Sequence, residues 1–109
     1  MIEVREYVDE TGKSPFSHWF NRLEARVAAK ITTALYRLEQ GNFSNTKGLG
    51  AGVFEYRIDF GPGYRIYFGR SGDCIVIILG GGTKKQQQKD IDAAKAYWQE
   101  YKIRKRKGK

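Results

Sequence analysis

The spacing of apolar positions changes along the chain, and each change marks an element. Residues 2–8, IEVREYV, alternate and predict a first strand. DETGKS then breaks the alternation. Ser14-Pro15 reads as a helix start, with serine as N-cap and proline at the first helical position. Phe16, Trp19, Phe20 and Leu23 form one apolar stripe, continued by Val27, Ile31, Ala34, Leu35 and Leu38 to Gly41, the expected residue after the helix end. The stripe fits one long helix or two with a break near Glu24-Ala25. Residues 42–52, NFSNTKGLGAG, read as a loop by composition.

Period two returns in FEYRIDFGPGYRIYFGR, residues 54–70, as a hairpin around Gly-Pro-Gly. A three-residue loop, Gly61 to Gly63, would pair Phe60 with Tyr64, Ile58 with Ile66 and Tyr56 with Phe68 on one apolar face. The other face would then pair Asp59 with Arg65 and Arg57 with Tyr67, beside Glu55. The unbroken run CIVIILGG, residues 74–81, predicts an interior strand covered on both faces, with Cys74 as a small core residue. TKKQ, residues 83–86, matches a Thr-x-x-Gln capping box. Ile91, Ala94, Trp98 and Tyr101 then predict an amphipathic helix to about residue 103. The order is a strand, one or two helices, three strands and a helix, an α+β arrangement whose meander is covered by amphipathic helices.

Composition adds a single domain. The chain has 109 residues, 40% hydrophobic and 14% aromatic, enough for one core. It shows no apolar run of membrane-spanning length and no signal-peptide h-region, so a cytoplasmic location away from membranes is expected. One cysteine and one histidine leave no disulfide and no metal-ligand set, so no metal and no cofactor are expected. The net charge of +8 is concentrated at one end: residues 102–109, KIRKRKGK, hold six of the 20 basic residues and no acid. Residues 1–103 are read as the folded domain and 104–109 as a basic, disordered tail, solvated or anchoring on nucleic acid.

The candidate chemistry lies where charge is least expected. Arg57 and Arg65 share the polar face of the hairpin, with Arg70 close behind, and Lys84 and Lys85 fall in the first turn of a predicted helix. The helix dipole disfavours cations there, whereas helix N-termini accept phosphate. Cross-strand ion pairs on a wet sheet face would explain the arginines alone. Convergence of both pairs, with Gly80–Gly82 allowing close approach, would make a phosphate-binding concavity. His18, beside Trp19, reads as a surface or packing residue. Tyr56 and Phe68 belong to the apolar face, and Tyr67, on the arginine face, is the candidate for base stacking.

Residues 49–97 resemble the addiction-module killer proteins of the RelE/ParE superfamily, the HigB-like toxins of type II toxin–antitoxin systems. The resemblance rests on EYRI, on GPGYRIYF, on the apolar strand ending in glycines, and on KK before a helix containing DIDAAKAY. SPFSHWFNRLEARVAAKITTALYRLEQGNF is similar to that family's helical pair. The resemblance implies a RelE-like α+β fold: a small antiparallel-rich sheet, two N-terminal helices rather than one, and a C-terminal helix, β-α-α-β-β-β-α. It implies a metal-independent endoribonuclease that cuts mRNA on the ribosome, or else a ParE-like inhibitor of DNA gyrase. The implied partner is a small helix-turn-helix antitoxin, through which alone the toxin reaches operator DNA. By the same resemblance Arg65 is the phosphate-stabilising arginine, Arg57 lies where a second basic residue lines the same strand, and Lys84 and Lys85 are the cations before the last helix. Lys47 falls in a basic loop and, with Tyr67 and Arg70, is assigned to RNA binding. Ile91 stands where some relatives carry a proposed tyrosine or histidine base. A lysine crowded by cations can serve instead, which makes Lys84 or Lys85 the candidate.

Overall fold

The structure is a computed structural model and describes residues 1–108. Five strands form one sheet in the order β1-β5-β4-β3-β2: β1 (Glu3–Glu6), β2 (Thr46–Gly50), β3 (Val53–Ile58), β4 (Tyr64–Ser71) and β5 (Ile75–Thr83). β1 runs parallel to β5, and the other neighbours are antiparallel. Two helices, α1 (Pro15–Phe20) and α2 (Ala25–Glu39), cover one face; α3 (Gln87–Lys107), entered through a 3-10 turn at Lys84–Gln86, covers the other. This is the α+β, RelE-like architecture that the resemblance implies.

The unbroken apolar run is explained by this layering. Val76 and Ile78 of β5 pack with Ile31, Leu38, Ile66 and Phe68 beneath α1 and α2. Ile77 and Leu79 point the other way, into a second core with Val53, Ile91, Ala94 and Trp98. Each fully buried aliphatic side chain of this kind contributes about 1.5–3 kcal/mol. Ser14 caps α1, its hydroxyl accepting from the Ser17 N–H at 3.0 Å with Pro15 following, and the helical stripe is split into two helices. Gly41 takes a left-handed φ of 78° just past the α2 C-cap.

The structure corrects several expectations. The stretch read as a loop contains the edge strand β2, hidden because TKGLG carries two glycines and bulges between Gly48 and Gly50. The hairpin register is shifted by two: Ile58 faces Tyr64, Tyr56 faces Ile66 and Arg57 faces Arg65. The cause is a longer connection, in which Phe60 leaves the ladder to accept from the Gly63 N–H at 3.0 Å. A shift of two keeps every side chain on its expected face, but much of the arginine face is dry: Glu55, Arg65 and Tyr67 are buried, Tyr67 in the core under α3, while Arg57 and Asp59 stay exposed. Cys74 is exposed in the turn before β5, not in the core. The capping box does not form: the Thr83 side chain makes no capping bond, and the Lys84 N–H donates to the Gly63 carbonyl at 3.0 Å. Lys84 and Lys85 therefore precede α3 in the 3-10 turn instead of occupying its first turn.

α3 also runs beyond the expected end near residue 103, to Lys107. Tyr7 stacks on Tyr97 with ring centroids 5.1 Å apart and its hydroxyl donates to Glu100; Arg104 donates to the Val8 carbonyl at 2.8 Å. Lys105 reaches the Ser71 hydroxyl at 2.7 Å. Lys109, the last residue of the expected tail, lies outside the described residues. No helix among the described residues is long and apolar enough to cross a membrane.

Candidate active site

A cleft of about 500 Å³ opens at the end of β3, beyond the reach of β2, between α2 and the 3-10 turn. β3 and the turn after it contribute Arg57, Asp59 and Phe60, β4 contributes Arg65, and Lys84 closes one side. α2 supplies the opposite wall with Lys30, Thr33 and Arg37. These three precede Ile31, Ala34 and Leu38 by one position each, so they form a stripe flanking the one that α2 buries. Sequence reading for core positions passes over them; a search for cations at helical spacing beside that stripe would have found Lys30 and Arg37.

The lining is cationic, with Asp59 as its carboxylate. Among the described residues, Lys30, Arg37, Arg57 and Lys84 form no salt bridge. Lys30 Nζ lies 5.2 Å from the centroid of the Phe60 ring, and the Arg26 guanidinium lies 5.8 Å from it. Arg57 and Arg65 are partners in the β3–β4 ladder, a pairing of like charges that is unfavourable in itself.

Arg65 differs from its partner in being buried, at 6% exposure. Its Nη1 donates to the Tyr64 carbonyl at 3.0 Å, and its Nε, without a hydrogen bond, lies 3.8 Å from Glu55 Oε2. Glu55, at 2% exposure, accepts from Gln87 Nε2 at 2.9 Å. The expected Asp59–Arg65 pair is thus replaced by Glu55–Arg65, a direct consequence of the register shift. Neither Glu55 nor Gln87 was assigned a role from sequence.

The remaining site candidates are dispersed. Lys85 is exposed in the 3-10 turn and does not line the cleft. Lys47 is exposed on β2, where its ladder partner is Glu55. Tyr67, expected on a wet face, is 1% exposed beneath α3, so its ring is not available to a base. Burial, reinforced by Asp90 and Glu55, pushes its hydroxyl well above the usual tyrosine range. Arg70 sits near the other end of β4, its guanidinium 4.3 Å from the centroid of Phe43. There it lines a second groove, of about 450 Å³, with Trp98, Tyr101, Lys102 and Lys105. Ile91 belongs to the core under α3, and His18 is exposed on α1. Among the described residues no three His, Cys, Asp or Glu side chains converge as a metal site would require.

This cleft can hold an anion with several charges. Arginine keeps its proton and can bridge two phosphate oxygens, while lysine acts as a mobile point charge. Comparison with known proteins points the same way as the fold. The family described as "Phage derived protein Gp49-like" matches residues 18–103, which include every residue of the cleft. A protein of Haemophilus influenzae, described as uncharacterized, is 44% identical over 86 residues, covering 78% of this chain and 87% of its own length. The chain belongs to the phage-derived Gp49-like family, a family of addiction-module toxin type.

Proposed function

We propose that the protein is the toxin of a type II toxin–antitoxin pair and a metal-independent endoribonuclease that cuts mRNA on the ribosome. The observation that carries this reading is the opposition of Arg57 and Arg65 on the wall of a cleft that also holds Lys30, Arg37 and Lys84. A folded chain keeps such a set of cations together, Arg65 alone among them salt-bridged within the described residues, at a cost in stability, and a polyanion in the cleft removes that cost. In the reaction the 2′-oxygen bonds to the adjacent phosphorus and the bond to the 5′-oxygen breaks, leaving a 2′,3′-cyclic phosphate and a 5′-hydroxyl. Arg65 and Arg57 neutralise the charge that grows on the phosphoryl oxygens. Lys84 and Asp59 are the groups on the cleft wall that can move the two protons.

The natural partner is an antitoxin that covers this cleft in the cytoplasm and brings the pair to operator DNA through its own helix-turn-helix. The test is cleavage of mRNA by purified protein with and without ribosomes, mapped by primer extension. Arg65→Lys keeps the charge, loses the fork, and should cut at least about 100-fold more slowly. Intact mRNA together with inhibited gyrase supercoiling would replace this reading with the ParE-like one. The burial of Ile91, at the position where some relatives of the superfamily hold a base, is the feature that favours that alternative.

A further inference from the structure

Glu55 is a buried carboxylate beside a cationic cleft, and the chemistry above gives it no task. Its surroundings are specific. Oε1 accepts from Gln87 Nε2 at 2.9 Å, while Oε2 lies 3.8 Å from Arg65 Nε. On the far side of the same guanidinium, Nη1 donates to the Tyr64 carbonyl at 3.0 Å. Arg65 is therefore held by a hydrogen bond at Nη1 and by a charge contact, beyond hydrogen-bond range, at Nε. Among the described residues Nη2 has no hydrogen-bond partner and, unlike Nε, is not one of the buried atoms left unpaired, on a residue that lines the cleft. A carboxylate at 2% exposure is costly unless charge and hydrogen bonds compensate it. If only neutrality were needed, an apolar residue in place of Glu55 would do better; an ion pair of this kind serves chiefly to fix one arrangement.

We propose that Glu55, held by Gln87, is a positioning residue for Arg65: it orients the guanidinium so that Nη2 is presented to the phosphate, and Gln87 ties that orientation to the first turn of α3. The proposal rests on reading the cleft as a phosphodiester site. It assigns a function to the acidic residue of EYRI, which sits diagonally across the ladder from the arginine it serves, two residues before that arginine's partner Arg57. It also makes the packing of α3 against the sheet a condition for a competent Arg65.

The test uses the full chain with Glu55→Gln, nearly the same shape without the charge, and Gln87→Met, similar in length without the donor. For cleavage, kcat should fall about 10- to 100-fold in Glu55→Gln with KM changed less than about threefold, since the loss is in the transition state. Combined with Arg65→Lys, Glu55→Gln should add almost nothing, because both act through one guanidinium. Gln87→Met should show the same pattern more weakly. The second readout needs no RNA: the Arg65 Nε–H resonance should exchange slowly with solvent in the parent protein and quickly in both variants, with backbone amides of α2 unmoved. Unchanged kcat in folded Glu55→Gln, or full additivity with Arg65→Lys, overturns the proposal. So does an Nε–H that exchanges equally fast in parent and variants. A parent protein that cuts no RNA yet keeps a protected, Glu55-dependent Nε–H would sink the nuclease reading itself and leave only the orientation.

Discussion

Arg57 and Arg65 face each other across the β3–β4 ladder, one exposed and one buried against Glu55. Directly opposed like charges repel, and a threonine at the exposed position would suit a strand better. Arg57→Thr is therefore expected to raise stability by roughly 0.2–1 kcal/mol in urea denaturation. The same change should lower RNA affinity and cleavage, because it removes one of the cations gathered at the cleft. A folded Arg57→Thr that is less stable than the parent would show that the two arginines do not repel, and the argument from opposition would fail.

Arg65 predicts the reverse balance. Replacing it by alanine leaves the Glu55 carboxylate buried with Gln87 alone, so Arg65→Ala should lose roughly 3 kcal/mol, the scale for breaking a buried ion pair. Arg65→Lys should lose much less while cleavage still collapses. Comparable stability for Arg65→Ala and the parent would mean that Glu55 is solvated and the pair has no structural weight.

The two arginines also show what the chain discloses and what it withholds. Alternation placed Arg57, Arg65 and Glu55 on one face correctly, because a register slip of two leaves faces unchanged. It could not set the length of the turn, which depends on the Phe60–Gly63 bond, and so it paired Arg65 with Asp59 in place of Glu55. The run IVIIL announced a strand buried on both sides, yet which helix covers the arginine face is a tertiary fact. That fact took Tyr67 out of solvent. β2 was illegible because its pairing is made by backbone in a stretch whose side chains carry no alternation. Lys84 was placed near Arg65 by the expected convergence, whereas Lys30 and Arg37 join the site only because α2 crosses the sheet beside β3.

The glycines at the end of β5 are separable by what lies above each. A Cβ on Gly81 would run into the Trp19 ring, whereas one on Gly80 would meet nothing within 4 Å. The indole, packed against the core beneath α1 and α2, has little freedom to withdraw. Gly81→Ala should therefore cost about 1–3 kcal/mol, as overpacking does, and Gly80→Ala close to nothing. Equal effects in chemical denaturation would show that the close approach of Trp19 to the strand is not what selects glycine there.

Asp90 gives a pH dependence of definite sign. Burial holds its carboxyl above the usual range, with Lys89 offsetting part of the effect, and it lies over Gly82 and near Tyr67 under the start of α3. A carboxyl whose value is raised on folding contributes stability that is complete below its unfolded value, about pH 4, and is lost as pH rises through the folded value. Asp90→Asn should thus be slightly stabilising at pH 7, the helix N-terminus opposing part of the gain. The difference from the parent should vanish below about pH 4. Melting temperatures across pH 3–8 decide it, and a destabilised Asp90→Asn at pH 7 would mean that the ionised form is the one the fold supports.

The basic end of α3 carries two effects that can be measured apart. Arg104 donates to the Val8 carbonyl, joining the helix to the segment after β1, and Lys105 reaches Ser71 at the end of β4. Removing residues from 104 onward deletes both ties and the cations that favour a helix C-terminus, so the melting temperature should fall by several degrees. Arg106 and Lys107 are exposed in the same turn. Neutralising them as Arg106→Gln and Lys107→Gln should leave the melting temperature unchanged. If they touch RNA phosphates, the slope of log affinity against log salt should become shallower by about 1.4, near 0.7 per contact for a single strand. Truncation that alters the salt slope but not the melting temperature would show that the contacts to Val8 and Ser71 contribute nothing to the fold. A falling melting temperature with an unchanged slope in the double glutamine variant would confine these cations to a structural role, leaving RNA attraction to the cleft around Arg65.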